Sequence, residues 1–448
     1  MNNIIHVLDS IPGTRKTSGA IEYINENPSK PILYICEYKS EIDRVCNLTH
    51  CVQPKSAYDE NIERYHSKKD DIKQLILSGR SIASSHALFV NFDAEIFTAI
   101  EKIGYELILD EVLDPIIKVT SRYNSADYKT LEDSGHIKAA ESGKIHWSWD
   151  VEKESAYDEL REFCETGLLY KAGDLNQFLY LVPIDLFNKA SKVTVMTYRF
   201  EGSYLYQYLL VNGFQFVPET NIRSLNSAEL KKHIKEHIII CHHKGTDKLR
   251  TISKGRHKTN GYTFSYNCYL KNIINGKVSN REEFKKFVSS RLNLVFRHII
   301  NNYDNALSVS SVMYTLPKEF SGISLVEKEH KGKVFRKRIY NVDRKKTIPA
   351  PRISSIKCFV PFNCRGTNEY SDKAILIHCY NHFANPAIKS FYRKYKDLEI
   401  DEESLALNTL IQWIFRSRIR NFKKGEKVYV YCLSERMESI LKKWIDSL

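Results

Sequence analysis

Ile4-Ile5-His6-Val7-Leu8-Asp9-Ser10-Ile11-Pro12-Gly13-Thr14-Arg15-Lys16-Thr17-Ser18 is the stretch whose reading decides the fold. The β-branched apolar run Ile4–Leu8 predicts a strand, the next residues a turn-rich loop, and Lys16–Asn25 a helix that stops at Asn27-Pro28. A strand, a Gly-containing turn, Lys-Thr and then a helix can hold a triphosphate. Backbone N–H groups and the helix N-terminus face the anion, the Lys neutralises it and the Thr hydroxyl ligates magnesium. Pro12, Gly13, Thr14, Arg15, Lys16, Thr17 and Ser18 are therefore the candidate phosphate contacts, with Thr17 also a candidate metal ligand. Ser10 and Arg15 stand where G-x-x-x-x-G-K-[ST] has glycines. If position 15 needs a left-handed backbone, Arg costs about 1–2 kcal/mol there relative to Gly. The guanidinium could offset this by contacting phosphate itself. Taken alone, the string suits an ordinary strand–turn–helix corner equally well.

Working outward, Pro31–Cys36, Ser81–Ser84 and Glu106–Asp110 read as strands, and Ser40–Cys46, Asp70–Leu77 and Ala94–Ile103 as helices. This alternation predicts an α/β fold with a mostly parallel sheet covered on both faces. Leu107-Ile108-Leu109 runs into Asp110-Glu111. One carboxylate at such a strand end can hold magnesium while its neighbour orients or deprotonates the attacking water, and phosphoryl transfer needs both services. Solvated acids capping a strand are the plain alternative, less common in the same predicted sheet as a Lys-Thr loop.

The 448 residues suit two domains of roughly 200 each. With 42 % hydrophobic and 27 % charged residues the chain can bury real cores, which argues against disorder. A net charge of +13 favours polyanionic partners, because Lys or Arg beside a phosphate releases condensed counterions. Met1–Ile11 lacks the features of an export signal and no stretch approaches the ~20 apolar residues of a membrane span, so a cytoplasmic protein with no membrane partner is expected. The ten cysteines are scattered. Cys46, His50 and Cys51, and far downstream Cys241, His242 and His243, form suggestive groups without the paired spacing of structural zinc, so buried reduced thiols are the expectation.

Ser121–Trp149 is polar and without clear periodicity and reads as an insertion, about 121–150, or a surface excursion. Leu175–Lys189 reads as a helix and Val193–Thr197 as a strand. Further strands are expected at His237–Cys241, Ala306–Tyr314, Ile356–Pro361, Ala374–Cys379 and Lys427–Cys432, giving a second α/β domain. Lys331–Arg338 and Arg344–Lys346 are basic segments of irregular character, read as solvated loops with phosphate contact as the alternative. Phe391–Lys396 and Tyr262–Tyr269 interleave aromatic and basic residues; core packing is the first reading and base stacking the second.

The order of these motifs resembles superfamily 2 helicases, and most closely the compact DEAD-like helicases often encoded by phages and prophages. Asp9–Ser18 stands for motif I, Asp110-Glu111-Val112-Leu113 for motif II and Met196-Thr197-Tyr198-Arg199-Phe200 for motif III. Ser84-Ser85-His86-Ala87-Leu88-Phe89 is similar to the segment that touches the strand backbone, Val312-Met313-Tyr314-Thr315 to the region of motif IV, and Asn363–Tyr370 to motif V. Gln412-Trp413-Ile414-Phe415-Arg416-Ser417-Arg418-Ile419-Arg420 looks like motif VI, with Phe415 replacing its usual Gly and the last Arg one residue late. The resemblance implies two tandem RecA-like domains, 1–205 and 206–448, with mostly parallel sheets, ATP and Mg2+ in the cleft, and nucleic acid as partner. Single-stranded or forked DNA is favoured over RNA, with replication proteins as accessory partners. It further implies Glu111, Gln412, Arg416 and Arg420 as catalytic, Thr17 and Asp110 as magnesium ligands, and Ser85, His86, Thr197, Arg365, Thr367 and Asn368 on nucleic acid. Gln412, Arg416 and Arg420 are expected on one helical face; the finger is one of Arg416, Arg418 and Arg420, Arg416 first. The rival reading is a nucleic-acid- or partner-binding protein that keeps this fold but hydrolyses ATP poorly.

Overall fold

The computed structural model describes residues 3–59, 64–119, 123–148, 155–245, 262–321, 323–330, 333–340, 347–348, 358–363, 369–421 and 425–448. They divide into two compact units: Met1–Leu225 with Ala384–Ser404, and Asn226–Phe383 with Leu405–Leu448. This differs from a single boundary at 205/206. The strand Gln215–Pro218 pairs with the first strand, and Leu225 N donates to Thr14 O (2.9 Å), so the residues after 205 complete the first unit.

The first unit is built on six strands: β1 Ile4–Asp9, β2 Ile32–Cys36, β3 Ile82–Ser85, β4 Glu106–Asp110, β5 Lys192–Thr197 and β6 Gln215–Pro218. Their spatial order is β6-β1-β5-β4-β2-β3 and every pairing is parallel. Parallel sheets covered on both faces carry continuous apolar runs, as in β2, whose five residues are all buried. Register sets Asp9 beside Thr197, Met196 beside Asp110, Cys36 beside Asp110 and Cys36 beside Ser85. The candidate residues thus fall in one row along the carboxyl edge, where ligands of such sheets bind. The helix α1, Lys16–Glu26, follows β1 and buries Gly19, Ala20, Tyr23 and Ile24. Gly19 is required there, since a Cβ would lie 1.9 Å from Arg223 O.

Between β4 and β5 the chain forms a folded insertion, wider than the stretch 121–150 read as one. The strands Ile116–Lys118, Leu169–Ala172 and Leu175–Leu181 make an antiparallel sheet, joined by the helices Ser125–Asp133 and Asp158–Glu165 and the hairpin Ile137–Ala139/Ile145–Trp147. Tyr128, Leu131, Ile137, Ile145, Leu160, Leu169 and Phe178 form its core. The helix expected over Leu175–Lys189 is instead that third strand followed by the short helix Asp185–Asn188, with Pro183 between them. The helix Pro386–Lys396 packs on this insertion: Tyr170 and Phe391 meet edge to face at 5.7 Å, and Asp174 accepts from Lys394 Nζ at 2.7 Å. Phe391 and Tyr392 are core residues, which settles that aromatic run as packing.

The second unit holds β7 Ile238–Ile240, β8 Val312–Thr315, β9 Ile375–His378 and β10 Val428–Cys432, in the order β7-β10-β9-β8 and again all parallel. Val278–Asn302 is a helix whose Phe284, Val288, Leu292, Val295 and Ile299 recur at helical spacing and join this unit's core. Of the strand expected at Ile356–Pro361, only a bridge at Phe359 to Tyr314 is formed among the described residues. Of the basic segment Lys331–Arg338, Lys333–Arg338 lies in an antiparallel hairpin of Ile323–His330 and Lys333–Tyr340 rather than in irregular chain. The chain is α/β with mostly parallel sheets, and no helix among the described residues is long and apolar enough to cross a membrane.

Candidate functional site

Three loops leave neighbouring strands at the carboxyl edge of the first sheet, and each turns through a left-handed residue: Arg15 after β1 (φ 61°), Glu111 after β4 (φ 73°) and Arg199 after β5 (φ 55°). Each such non-Gly residue carries about 1–2 kcal/mol of strain that the surroundings must hold in place. The hydrogen bonds that do so are plain. Ser10 N donates to Thr197 O and Glu111 N to Met196 O, both at 2.9 Å. The Asp9 carboxylate accepts from Arg199 N (2.8 Å) and Phe200 N (2.9 Å), pinning the loop after β5 to the end of β1.

Within this frame Lys16 Nζ donates to Ser10 O at 2.6 Å, which folds the lysine back over the loop from Ser10 to Arg15. Lys16 is buried, while Gly13 and Arg15 are exposed and Pro12 and Ser18 half-buried. Thr14 is buried and its hydroxyl donates to Ile11 O (2.9 Å), so it shapes the loop from inside. The first turn of α1 has no acidic residue and no side-chain cap, which leaves its N–H groups and dipole to an anion. Arg15 does take the left-handed conformation for which the pattern has glycine.

Thr17 Oγ1 donates to Asp110 Oδ2 at 2.8 Å, and Tyr34 OH donates to the same oxygen. A hydroxyl and a carboxylate converging at a strand end form the oxygen donor set that magnesium takes, so the residues fit the metal. Beside them Thr197 Oγ1 donates to Glu111 Oε2 at 3.0 Å and holds that carboxylate at the mouth of the loop. Thr197 is fully buried, and its hydroxyl positions Glu111. Tyr34 and Asp9 were missed in the sequence. Tyr34 sits in an apolar strand with nothing local to mark it, and only the pairing of β2 with β4 brings it to Asp110.

Asp110 is buried, and burial pushes its carboxyl up to about 6 with help from the neighbouring Glu111 charge, against the Tyr34 and Thr17 hydrogen bonds and Lys16. Because the folded-state value lies above the unfolded one, the native state holds a proton that the unfolded chain has released between about pH 4 and 6, and stability falls as pH rises through that window. Above it the buried charge costs about 3 kcal/mol, at 1.36 kcal/mol per unit. Asp110→Asn keeps an oxygen that accepts from both hydroxyls and removes the charge. In metal-free buffer it is expected to melt higher than the parent at about pH 7.5 and level with it near pH 4. An equal gap at both pH values in thermal melts would refute this account.

The other expected residues sit on other elements. Ser85 Oγ accepts from Leu88 N (3.3 Å) and caps the short helix His86–Phe89, with Ser85 and His86 both half-buried at the end of β3. Gln412 is buried on the helix Glu402–Ile414, its Nε2 on Asn408 Oδ1 at 3.0 Å. That helix ends at Ile414, where Ser417 Oγ bonds Ile414 O, so Arg416 and Arg420 do not continue the helical face of Gln412. Arg416 follows in a turn, buried, its Nε without a hydrogen-bond partner among the described residues. Arg418 donates to Lys427 O and is occupied; Arg420 is half-buried in the 3-10 turn Arg418–Asn421. Arg365, Thr367 and Asn368 lie outside the described residues, as does Arg344–Lys346. His50 Nε2 bonds Ser81 Oγ (3.2 Å), and no group of three or more His, Cys, Asp or Glu suited to a metal is found among the described residues.

Residues 232–445 match the family described as the YonV C-terminal Rossmann-like domain, in keeping with the parallel sheet of the second unit. Over 99 % of both chains the sequence is 27 % identical to the SPbeta prophage-derived uncharacterized protein YonV of Bacillus subtilis (strain 168). Among solved structures it is similar to S. tokodaii Xpd4, with 12 % identity, a TM-score of 0.42 and coverage of 98 % of this chain and 94 % of that one. The chain is thus a two-unit α/β protein similar, end to end, to a prophage-derived protein.

Proposed function

We propose that this chain binds ATP with magnesium at the carboxyl edge of its first sheet and uses hydrolysis to move on or unwind nucleic acid, in the manner of a superfamily 2 helicase serving phage or mobile-element replication. The observation that carries the reading is the 2.8 Å link from Thr17 to Asp110, which joins a strand–loop–helix to an acid pair across two strands of one parallel sheet. Lys16, the loop N–H groups of Gly13 to Thr17 and the N-terminus of α1 hold the phosphates. Thr17 and Asp110 hold magnesium, which when bound neutralises phosphate charge. Glu111, steadied by Thr197, orients and deprotonates the attacking water. We assign Arg416 to the phosphates, supported by its buried, unbonded Nε, with Gln412 beside it in sequence. Steady-state ATP turnover with and without single-stranded DNA or RNA tests the whole reading, and no turnover under any condition would overturn it.

Ser10 and Arg15 favour the second reading, a binding protein with poor hydrolysis, and one substitution separates the two. Arg15→Gly relieves a left-handed residue and is expected to stabilise the fold by about 1 kcal/mol. If the exposed guanidinium contacts phosphate, the same change weakens ATP binding about 10- to 150-fold, the loss of one charge-assisted bond. We expect this opposite pair of effects. A gain in both stability and ATP affinity would make Arg15 a decayed glycine instead.

A further inference from the structure

A nucleotide held at the carboxyl edge of the first sheet would meet a cation that none of the short motifs contains. The helix Lys39–Leu48 follows β2 and shares one core with α1, Ala20, Ile21 and Ile24 coming from α1 and Ile42 and Val45 from its neighbour. From that helix Arg44 reaches the first turn of α1. Its Nη2 donates to Ser18 Oγ at 3.1 Å, and its Nη1 donates to Glu41 Oε2 at 3.2 Å. Ser18 directly follows Thr17, and β2, which leads into the Arg44 helix, pairs with β4, which ends at Asp110. Arg44 therefore stands on the flank of the loop where Thr17 and Asp110 meet, opposite the flank that Leu225 closes on Thr14.

The sign of this charge is wrong for its place. The N-terminus of a helix carries partial positive charge and favours anions. Yet Arg15 caps α1, Lys16 opens it, Arg44 reaches its third residue, and no acidic residue lies in its first turn. The ion pair with Glu41 does not offset this: it joins neighbours on one helix with 42 % of the arginine side chain exposed, and such pairs are worth little in water. A planar fork of N–H donors kept accessible beside open helix N–H groups suits phosphate oxygens. In sites of this kind the lysine and the metal-bound hydroxyl serve the outer two phosphates, so the flank shared with Thr17 and Asp110 is the terminal one.

We infer that Arg44 contacts the terminal phosphate of a bound nucleoside triphosphate and makes the site prefer a triphosphate to a diphosphate. The inference rests on the nucleotide reading above and adds the residue that tells the two ligands apart. The test uses the full chain with magnesium and measures equilibrium binding of adenylyl imidodiphosphate, a triphosphate that resists hydrolysis, beside ADP. Arg44→Gln keeps an amide that can bond Ser18 and removes the charge. It is expected to weaken the triphosphate about tenfold and ADP less than about twofold, with Arg44→Lys in between. Without nucleotide both variants are expected to melt with the parent, because an exposed pair adds little to the fold. Unchanged preference in Arg44→Gln, or equal losses on both nucleotides, overturns the inference and leaves the nucleotide reading standing. Variants that melt well below the parent would make Arg44 a tie between two helices and overturn it as well. Failure of the parent to bind either nucleotide overturns both readings.

Discussion

Glu111→Gln is expected to leave ATP bound and to slow its hydrolysis by about 10²–10⁴-fold, the usual worth of a positioned general base. The amide keeps an oxygen to accept from Thr197 Oγ1, so the left-handed turn and the loop around it stay in place. Thr17 and Asp110, the proposed magnesium ligands, are untouched. Equilibrium ATP binding and single-turnover hydrolysis measured on the same preparation check both halves. Lost binding with normal hydrolysis of the bound fraction would mean that Glu111 serves the metal and Asp110 the water.

Lys16→Ala should abolish turnover altogether, a loss of at least about 10²–10³-fold, because it removes the ammonium folded over the loop. The fold should survive: the lysine bonds a backbone carbonyl of its own loop, and the neighbouring Gly19 contact with Arg223 is unaffected. Circular dichroism and steady-state ATPase together check this, and turnover equal to that of the parent would remove the loop from the mechanism.

The first sheet was legible because its signals are local. Ala94–Ile103 was read to the residue: Asp93 caps Ile96 N at one end and Gly104 (φ 83°) closes the other. Leu175–Leu181 misled because Leu175, Phe178 and Leu179 recur at helical spacing, while what decided their structure was pairing with Leu169–Ala172 and Ile116–Lys118. The helix through Gln412 and Arg416 misled in the same way, since spacing cannot show that the last turn closes at Ile414. At the site, Lys16, Thr17, Asp110 and Glu111 announce themselves as neighbours in short motifs. Asp9 and Tyr34 do not, because their partners lie 190 and 76 residues away and only the order of the strands supplies them.

The helix Pro386–Lys396 has a consequence for how the molecule is made. It belongs to the first unit, yet it is encoded after most of the second, and its Phe391 and Tyr392 are buried. A ribosome delivers the chain from its N-terminus, so the insertion waits with an uncovered apolar face until residues near 404 of 448 have emerged. By then Asn226–Phe383 of the second unit has also been released, so the first unit cannot be completed before most of the second has been made. Truncation after residue 225 therefore removes part of the first unit's own interior, and the fragment is expected to aggregate where the whole chain does not.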